Sequence, residues 1–437
     1  IMVRPIKDRL VAFNPDVSYF KPRGIPLMEL EEVVMKVDEC EAIRLADLMN
    51  LSHEEAGRQM GVSRATFGRI VQRARRSVAD AVINGKAIRI EGAVGVGRGY
   101  MEGSWTCDDL DKLIRVFVRN GSTLSTWRSK WSWVTKPLQQ AWLWARRNTI
   151  EGSRRNIHEH YDLGNDFFAT FLDESMMYSA AFYPTPETTL EEAATEKLHR
   201  ICRKLDLNPD DHVLEIGSGW GGFAILAAKE YGCRVTTITI SEEQYAYALN
   251  RILDEGLEDR VDLRLCDYRE IDGQYDKLVS IEMIEAVGAD HLETFARVCS
   301  DRLKPDGRML LQAIVIDDRV YDTAVRSVDF IKKYVFPGSF IPSLHVISEA
   351  MKTRTDLRML HVEDIGDHYA RTLRDWHDRF VAASDRIKTM GFDEAFLRRW
   401  RFYFKYCEGG FAERRIGVQQ IVCGKPLDRR PVVYGRV

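Results

Sequence analysis

The sequence predicts an α/β fold of Rossmann-like, doubly wound type over residues 156–437, preceded by an all-α helix-turn-helix unit over residues 1–93. Three observations carry this. From about residue 156, strand-like and helix-like segments alternate, the pattern of a parallel sheet covered on both faces. Within that stretch, Asp211-His-Val-Leu-Glu-Ile-Gly217 is a short apolar run that ends on the glycines Gly217, Gly219, Gly221 and Gly222. Ahead of it, two capped helical segments flank a single glycine.

Those two helices come first in the chain. Ser52 can cap one, with Glu55 three residues on completing a capping box. That helix is expected over residues 54–60 and breaks at Gly61. Ser63 caps a second, expected over residues 64–76. Its Phe67, Ile70, Val71 and Ala74 recur at helical spacing and form a core stripe. Arg64, Arg69, Arg73, Arg75 and Arg76 fill the remaining positions. An arginine face on the second helix after a short turn suits phosphate contact and major-groove docking. It equally suits the solvated face of a small bundle.

Residues 94–155 read as a helical connecting segment rich in tryptophan and arginine. Trp127, Trp131, Trp133, Trp142 and Trp144 are interleaved with Arg128, Lys130, Lys136, Arg146, Arg147, Arg154 and Arg155. Tryptophan favours the membrane–water boundary, and basic side chains favour anionic headgroups. The cluster points to a lipid-proximal surface; the alternative is packing against the following domain.

The third region opens on the glycine turn. Glycines after a buried strand let a ligand approach the backbone and leave helix N–H groups free. Positions 217, 219 and 222 also satisfy G-x-G-x-x-G, so the turn alone does not choose between nucleotide-like cofactors. A second strand ends in Thr239-Ile-Ser-Glu-Glu-Gln244, a third runs into Cys266-Asp-Tyr-Arg269, and a fourth ends in Ser280-Ile-Glu-Met-Ile-Glu-Ala-Val-Gly288.

Composition is that of a globular protein of two or three domains: 437 residues, 45% hydrophobic, 30% charged, net charge −3. The eight cysteines are scattered without a C-x-x-C pair, which argues for reduced thiols over a disulfide framework or zinc site. No secretory leader is read at the start, and no run of about 18 apolar residues could span a bilayer. The expectation is a cytoplasmic chain, peripheral at the inner face of the membrane.

Two resemblances sharpen these readings. Tyr19-Phe-Lys-Pro-Arg-Gly-Ile-Pro-Leu27, Glu41-Ala-Ile-Arg-Leu-Ala-Asp47, Gly61-Val-Ser-Arg-Ala-Thr-Phe-Gly-Arg69 and Asn84-Gly-Lys-Ala-Ile-Arg-Ile90 resemble the UPF0251 (DUF134) family of small helix-turn-helix proteins, over about residues 3–92. From about residue 95 to 425 the chain resembles the cyclopropane-fatty-acyl-phospholipid synthase and mycolic acid cyclopropane synthase family. The ordered motifs are Tyr100-Met-Glu-Gly-Ser-Trp105, Asn156-Ile-His-Glu-His-Tyr-Asp-Leu-Gly-Asn165, Met177-Tyr-Ser-Ala180, Glu215 before the glycine turn, the three strand ends above, Tyr334-Val-Phe-Pro-Gly338, Tyr369-Ala-Arg-Thr-Leu-Arg-Asp-Trp376 and Cys407-Glu-Gly-Gly-Phe411. Family members carry a lipid-handling domain ahead of the position of Gly95; here the helix-turn-helix unit stands in that place.

The second resemblance implies an S-adenosylmethionine-dependent methyltransferase with a seven-stranded, mostly parallel sheet and a lipid-tunnel insertion at about 318–360. It implies cofactor contacts from Tyr178, Ser179, Glu215, Gly217, Gly219, Thr239, Ile240, Gln244, Asp267 and Tyr268. It implies addition of a methylene across the cis double bond of an unsaturated phospholipid acyl chain, giving a cyclopropane fatty acid. A bound bicarbonate ion serves the family as base, and the matching anchors are Glu285, Tyr369 and the main chain of Ile314, with Cys407 nearby. Two positions depart: Ala180 stands where a cysteine often follows Tyr-Ser, and Gln312 where a histidine often binds the anion. The departures leave room for a relative that makes a 10-methyl or methylene product. A DNA-binding regulator with a vestigial methyltransferase half is the reading from another class. The expected partners are unsaturated phospholipid, DNA at the helix-turn-helix, and a second copy of the chain in a homodimer.

Overall fold

The computed structural model describes residues 19–20, 22, 30–90, 93–103, 105–107, 109–119 and 163–431. The tryptophan-rich stretch Trp127–Trp144 and its basic neighbours, and most of the Asn156–Asn165 motif, lie outside the described residues. The rest forms two compact units, one within residues 1–108 and one holding residues 109–118 and those after 143.

In the first unit Ser52 and Ser63 cap their helices as the sequence predicts. Each side-chain oxygen accepts a bond from the backbone N–H three residues on, and Ser52 N in turn donates to Glu55 Oε2 at 3.1 Å. The helices are His53–Gln59 and Arg64–Ile83, so the second runs well past the expected end at Arg76. Leu45, Ala56, Met60, Phe67, Ile70 and Val71 form the core. The all-α expectation needs correcting. Strands β1 (Tyr19–Phe20), β2 (Glu32–Met35) and β3 (Ala87–Ile90) make a small sheet in the order β1-β3-β2. β2 and β3 pair in parallel from opposite ends of the unit, a long-range contact that local periodicity does not reveal. The arginine face is also narrower than expected. Arg73 pairs with Glu39, and Arg75 with Asp47 at 2.6 Å, both acids coming from the preceding helical turns.

The second unit is built on strands β4 (His212–Ile216), β5 (Arg234–Thr239), β6 (Val261–Leu265), β7 (Tyr275–Ile281), β8 (Leu303–Ile316), β9 (Arg358–Asp364) and β10 (Ile416–Gly424). Their order is β6-β5-β4-β7-β8-β10-β9. Pairings from β6 through β8 are parallel, and β10 runs antiparallel to both β8 and β9. Adjacent residues feed opposite cores: Val213, Val279 and Leu310 pack on one face, Leu214, Leu278 and Leu311 on the other. That is why these strands read as continuous apolar runs. The chain leaves β4 in opposite directions, toward β5 on one side and β7 on the other. The crevice at the carboxyl ends of β4 and β7 is therefore the switch point where open α/β sheets bind ligands.

Two additions flank the sheet. Between β8 and β9 lie the helices Asp318–Val325, Phe330–Tyr334 and Leu344–Arg354, in the place of the expected insertion. Ile316 N donates to Pro342 O and Phe340 N to Glu285 O, which fastens this segment to the strand ends. Part of the expected connecting segment belongs to this unit as well. Arg115 pairs with Glu413 at 2.6 Å, and Ile114 packs so closely on Gly409 that a Cβ there would meet it at 2.7 Å. Among the described residues no helix is long and apolar enough to cross a membrane, and all eight cysteines are free thiols.

Candidate active site

The glycine turn follows β4 directly. Gly217, Gly219 and Gly221 have φ of +98°, +49° and +88°, a region that favours glycine. The N–H groups of Gly217 and Ser218 both donate to Ile238 O, which pins the turn to β5. At Gly219 nothing lies within 4 Å of where a Cβ would be, so the turn presents open backbone ahead of the helix Gly222–Glu230. These features fit S-adenosylmethionine at this turn.

The other expected cofactor residues sit at the neighbouring strand ends. Glu215 is 2% exposed and accepts from Thr237 Oγ1 at 2.5 Å; burial pushes its carboxyl up to about 8. Thr239 Oγ1 donates to Gln244 Oε1 at 3.0 Å, next to Ile240 at the end of β5. Asp267 accepts from the backbone N–H and the guanidinium of Arg269. Tyr268 belongs to the apolar core, its ring edge-on to Phe295 and its hydroxyl without a hydrogen-bond partner. Core packing thus accounts for Tyr268 as it stands. Tyr178 and Ser179 are held by partners outside the glycine turn. The Tyr178 hydroxyl lies 3.0 Å from that of Tyr403, and Ser179 Oγ accepts from the buried Lys197 at 2.8 Å.

The expected anion anchors converge behind this turn, around a residue that the sequence alone does not single out. Glu282 follows β7 and is half-buried. Its Oε1 accepts from Ala180 N at 2.9 Å and from Gln312 Nε2 at 2.8 Å, and Tyr369 lies close enough to act on it electrostatically. Its φ is +49°, a left-handed conformation that costs a non-glycine residue about 1–3 kcal/mol. The bond from its N–H to Gln312 O helps to hold it there. Glu285, one turn further on, accepts from Ile314 N at 2.5 Å with one oxygen, while its other oxygen is buried and has no hydrogen-bond partner among the described residues. Burial, then the neighbouring Glu282 charge, pushes the Glu285 carboxyl up to about 8. Burial likewise raises Glu282, against the pull of its donors and Lys197.

Three of the donors that the resemblance assigns to a bicarbonate ion are therefore engaged by carboxylates of this chain. Ala180 N and Gln312 serve Glu282, and Ile314 N serves Glu285. The described residues do not fit a bicarbonate ion in that place.

Two more residues complete the arrangement from far away in sequence. Gln312 Oε1 accepts from Gln420 Nε2 at 2.9 Å, and Gln420 Oε1 accepts from Lys204 Nζ at 2.6 Å. All three side chains are buried, and Lys204 is also paired with Glu363. Glu282 falls within the fourth strand end, and its one signal in the sequence is an acid where a buried strand stops. Gln420 and Lys204 carry no local signal. Cys407 lies close enough to Tyr369 and Tyr403 to act on both electrostatically, its thiol raised by burial. The surround is aromatic: Tyr178 packs on Trp376 at 5.2 Å, Tyr369 meets Trp376 edge-on at 5.8 Å, and Phe336 packs on Tyr403 at 5.8 Å.

Comparison with known proteins agrees with this geometry. Residues 149–421 match the mycolic acid cyclopropane synthetase family, and residues 2–95 match DUF134, a family of unknown function. The chain is similar to the tuberculostearic acid methyltransferase UfaA1 of Mycobacterium tuberculosis, 37% identical over 75% of this chain and 78% of the relative. It is similar to the cyclopropane-fatty-acyl-phospholipid synthase of Escherichia coli K12, 34% identical over 78% of this chain and 86% of the relative. Among solved structures, the mycolic acid cyclopropane synthase CmaA1 complexed with SAH and CTAB aligns with a TM-score of 0.59 at 28% identity, over 62% of this chain and 98% of that one. The glycine turn at the switch point, the acids behind it and these likenesses agree: the chain belongs to the mycolic acid cyclopropane synthetase family and is an S-adenosylmethionine-dependent methyltransferase.

Proposed function

We propose that the chain adds a methylene across the cis double bond of an unsaturated phospholipid acyl chain and closes a cyclopropane ring. The observation that carries this reading is the pair of half-buried acids, Glu282 and Glu285, at the end of β7. Met283 between them packs on Gly217, where a Cβ would meet its Cγ at 3.1 Å. S-adenosylmethionine supplies the electrophilic methyl. The chain's own residues hold the alkene and shield the cation it becomes. An alkene is a weak nucleophile, so the acyl chain must be held against the methyl in a dry, apolar space. As the new C–C bond forms, positive charge passes to the second alkene carbon. The rings of Tyr178, Trp376 and Tyr403 suit stabilisation of that cation. Loss of one proton from the added methyl leaves the electron pair that closes the ring.

In this reading Gly217, Gly219, Glu215, Thr239, Ile240, Gln244 and Asp267 form the cofactor side, with Tyr178 and Ser179 toward the reacting end. Tyr369, Gln312, Ile314 and Cys407 surround the acids. The helices after β8 form part of the acyl-chain channel, and the lipid is met at a membrane surface. A second reading, a 10-methyl or methylene product, is favoured by Ala180 and Gln312, which depart from the anion-binding pattern. A saturated methyl product would require a reductant.

The test incubates the full chain with methyl-labelled S-adenosylmethionine and vesicles of oleoyl-containing phospholipid, followed by mass spectrometry of the released fatty acids. A cyclopropane product supports the main reading and a methylene-branched product the second. Absence of label in lipid overturns both.

A further inference from the structure

The site's departures from its family pattern form a set, and the set has a common meaning. Ala180 and Gln312 replace residues expected around a bicarbonate ion. Yet the donors at these positions do not point into empty space: they grip Glu282. Resting on the function proposed above, we infer that the Glu282 carboxylate is a built-in base that replaces the bicarbonate ion, aimed by a buried relay Lys204–Gln420–Gln312.

Three observations carry this. First, Glu282 takes the main-chain donor at Ala180 and the side-chain donor at Gln312 together, beside Tyr369. A carboxylate and a bicarbonate ion present the same planar pair of oxygens to such donors. Second, the backbone is strained to bring the carboxylate there. Glu282 holds φ +49°, and strained residues of this kind concentrate at functional sites. Third, the relay has one consistent direction. A lysine ammonium can only donate, so Gln420 must turn its oxygen to Lys204 and its amide N–H to Gln312. Gln312 must then offer its own N–H to Glu282. Lys204 thereby decides, two amides away, that Glu282 receives a donor and not a lone pair.

The step balances. The C–H bond of the added methyl breaks, its electron pair forms the ring bond to the cationic carbon, and the proton goes to Glu282. A carboxylate and a carbocation become an acid and a neutral ring. The buried Lys197, bonded to Ser179, acts on Glu282 electrostatically and offsets part of its charge before the transfer. Gln420 and Lys204 are positioning residues in this scheme.

The experiment uses the full chain in buffer freed of carbon dioxide, with inorganic bicarbonate as the probe. Wild-type turnover on phospholipid vesicles is expected to be indifferent to added bicarbonate. Glu282→Gly is expected to lose turnover by about 10²–10⁴-fold, the usual worth of a general base, and to recover part of it when bicarbonate is added. Glycine accepts the φ of this position, so this variant is expected to fold. Glu282→Gln fills the space with an amide and is expected to be inactive with or without bicarbonate. Titration calorimetry is read independently of lipid turnover: Glu282→Gly should bind bicarbonate and the wild type should not. Gln420→Leu should lower kcat with little change in KM and move the midpoint of the kcat–pH profile upward, because Glu282 loses a donor to its charged form. Wild-type turnover that rises with bicarbonate, or bicarbonate bound by wild type as tightly as by Glu282→Gly, overturns the proposal. Failure of the functional reading would instead show as unlabelled lipid while the calorimetric difference stands.

Discussion

The two sides of the crevice are assembled in different ways. On the cofactor side, partners are near in sequence: Thr239 bonds Gln244 five residues on, Asp267 bonds Arg269 two on, and Glu215 meets Thr237 across one strand pair, 22 residues away. On the acid side, Ala180 N reaches Glu282 across 102 residues, Gln420 reaches Gln312 across 108, and Lys204 reaches Gln420 across 216. One side binds by local backbone shape. The other aims charges by long-range packing. Substitutions should therefore split the two: cofactor affinity should respond to the first and turnover to the second.

The largest effect is expected at the centre of the acid side. Glu282→Gln should lower kcat by about 10²–10⁴-fold while leaving S-adenosylmethionine affinity near wild type, measured by single-turnover kinetics and calorimetry. A parallel fall in both would erase the distinction. On the cofactor side, Gly217→Val must place a branched residue at φ +98° with Met283 only 3.1 Å from its Cβ. Strain of about 1–3 kcal/mol, carried into binding, weakens cofactor affinity roughly 5–150-fold. At saturating cofactor its kcat should recover most of the loss.

The same contrast decides what could be read from the sequence. The switch-point turn was legible because strand, glycines and helix are consecutive from Asp211 to Tyr231, and both helix caps of the first unit were legible because a cap lies three residues from its partner. Tyr369, Gln312, Ile314 and Glu285 were found by resemblance, and the structure gathers them. Their partner was not found, because Glu282 differs in no local way from any acid at a strand end. Its meaning lies in Ala180 and Gln312 meeting it from two other segments. The small sheet of the first unit escaped for the same reason, since β2 and β3 are joined only through the helices between them.

A smaller effect is expected one step back along the relay. Lys204→Met removes the ammonium that fixes the Gln420 amide, so Gln420 and Gln312 can flip together. A lost charge-assisted hydrogen bond is worth about 1.5–3 kcal/mol, but Glu282 still keeps Ala180 N. Turnover should fall about tenfold or less, less than in Glu282→Gln, with cofactor affinity unchanged. Turnover equal to wild type would show that the amides keep their direction without the lysine.

The smallest effect concerns stability and separates Glu285 from its neighbour. Burial raises the folded-state carboxyl of Glu285 to about 8, against an ordinary value of 4.5. A raised carboxyl is protonated in the folded chain while the unfolded chain has already lost its proton. Its contribution to stability is thus fully present below about 4.5 and is lost as pH rises through about 8. Glu285→Gln keeps the neutral form at every pH and still lets a side-chain oxygen accept from Ile314 N. The wild type should therefore lose more Tm than this variant between pH 5 and 8, with the gap closing below pH 5. A difference of about 1 kcal/mol would appear as roughly 2–4 °C in a unit of this size. Parallel Tm curves would mean that Glu285 is ionised in the folded chain near neutral pH, and that the acid side carries two negative charges where the raised carboxyl implies one.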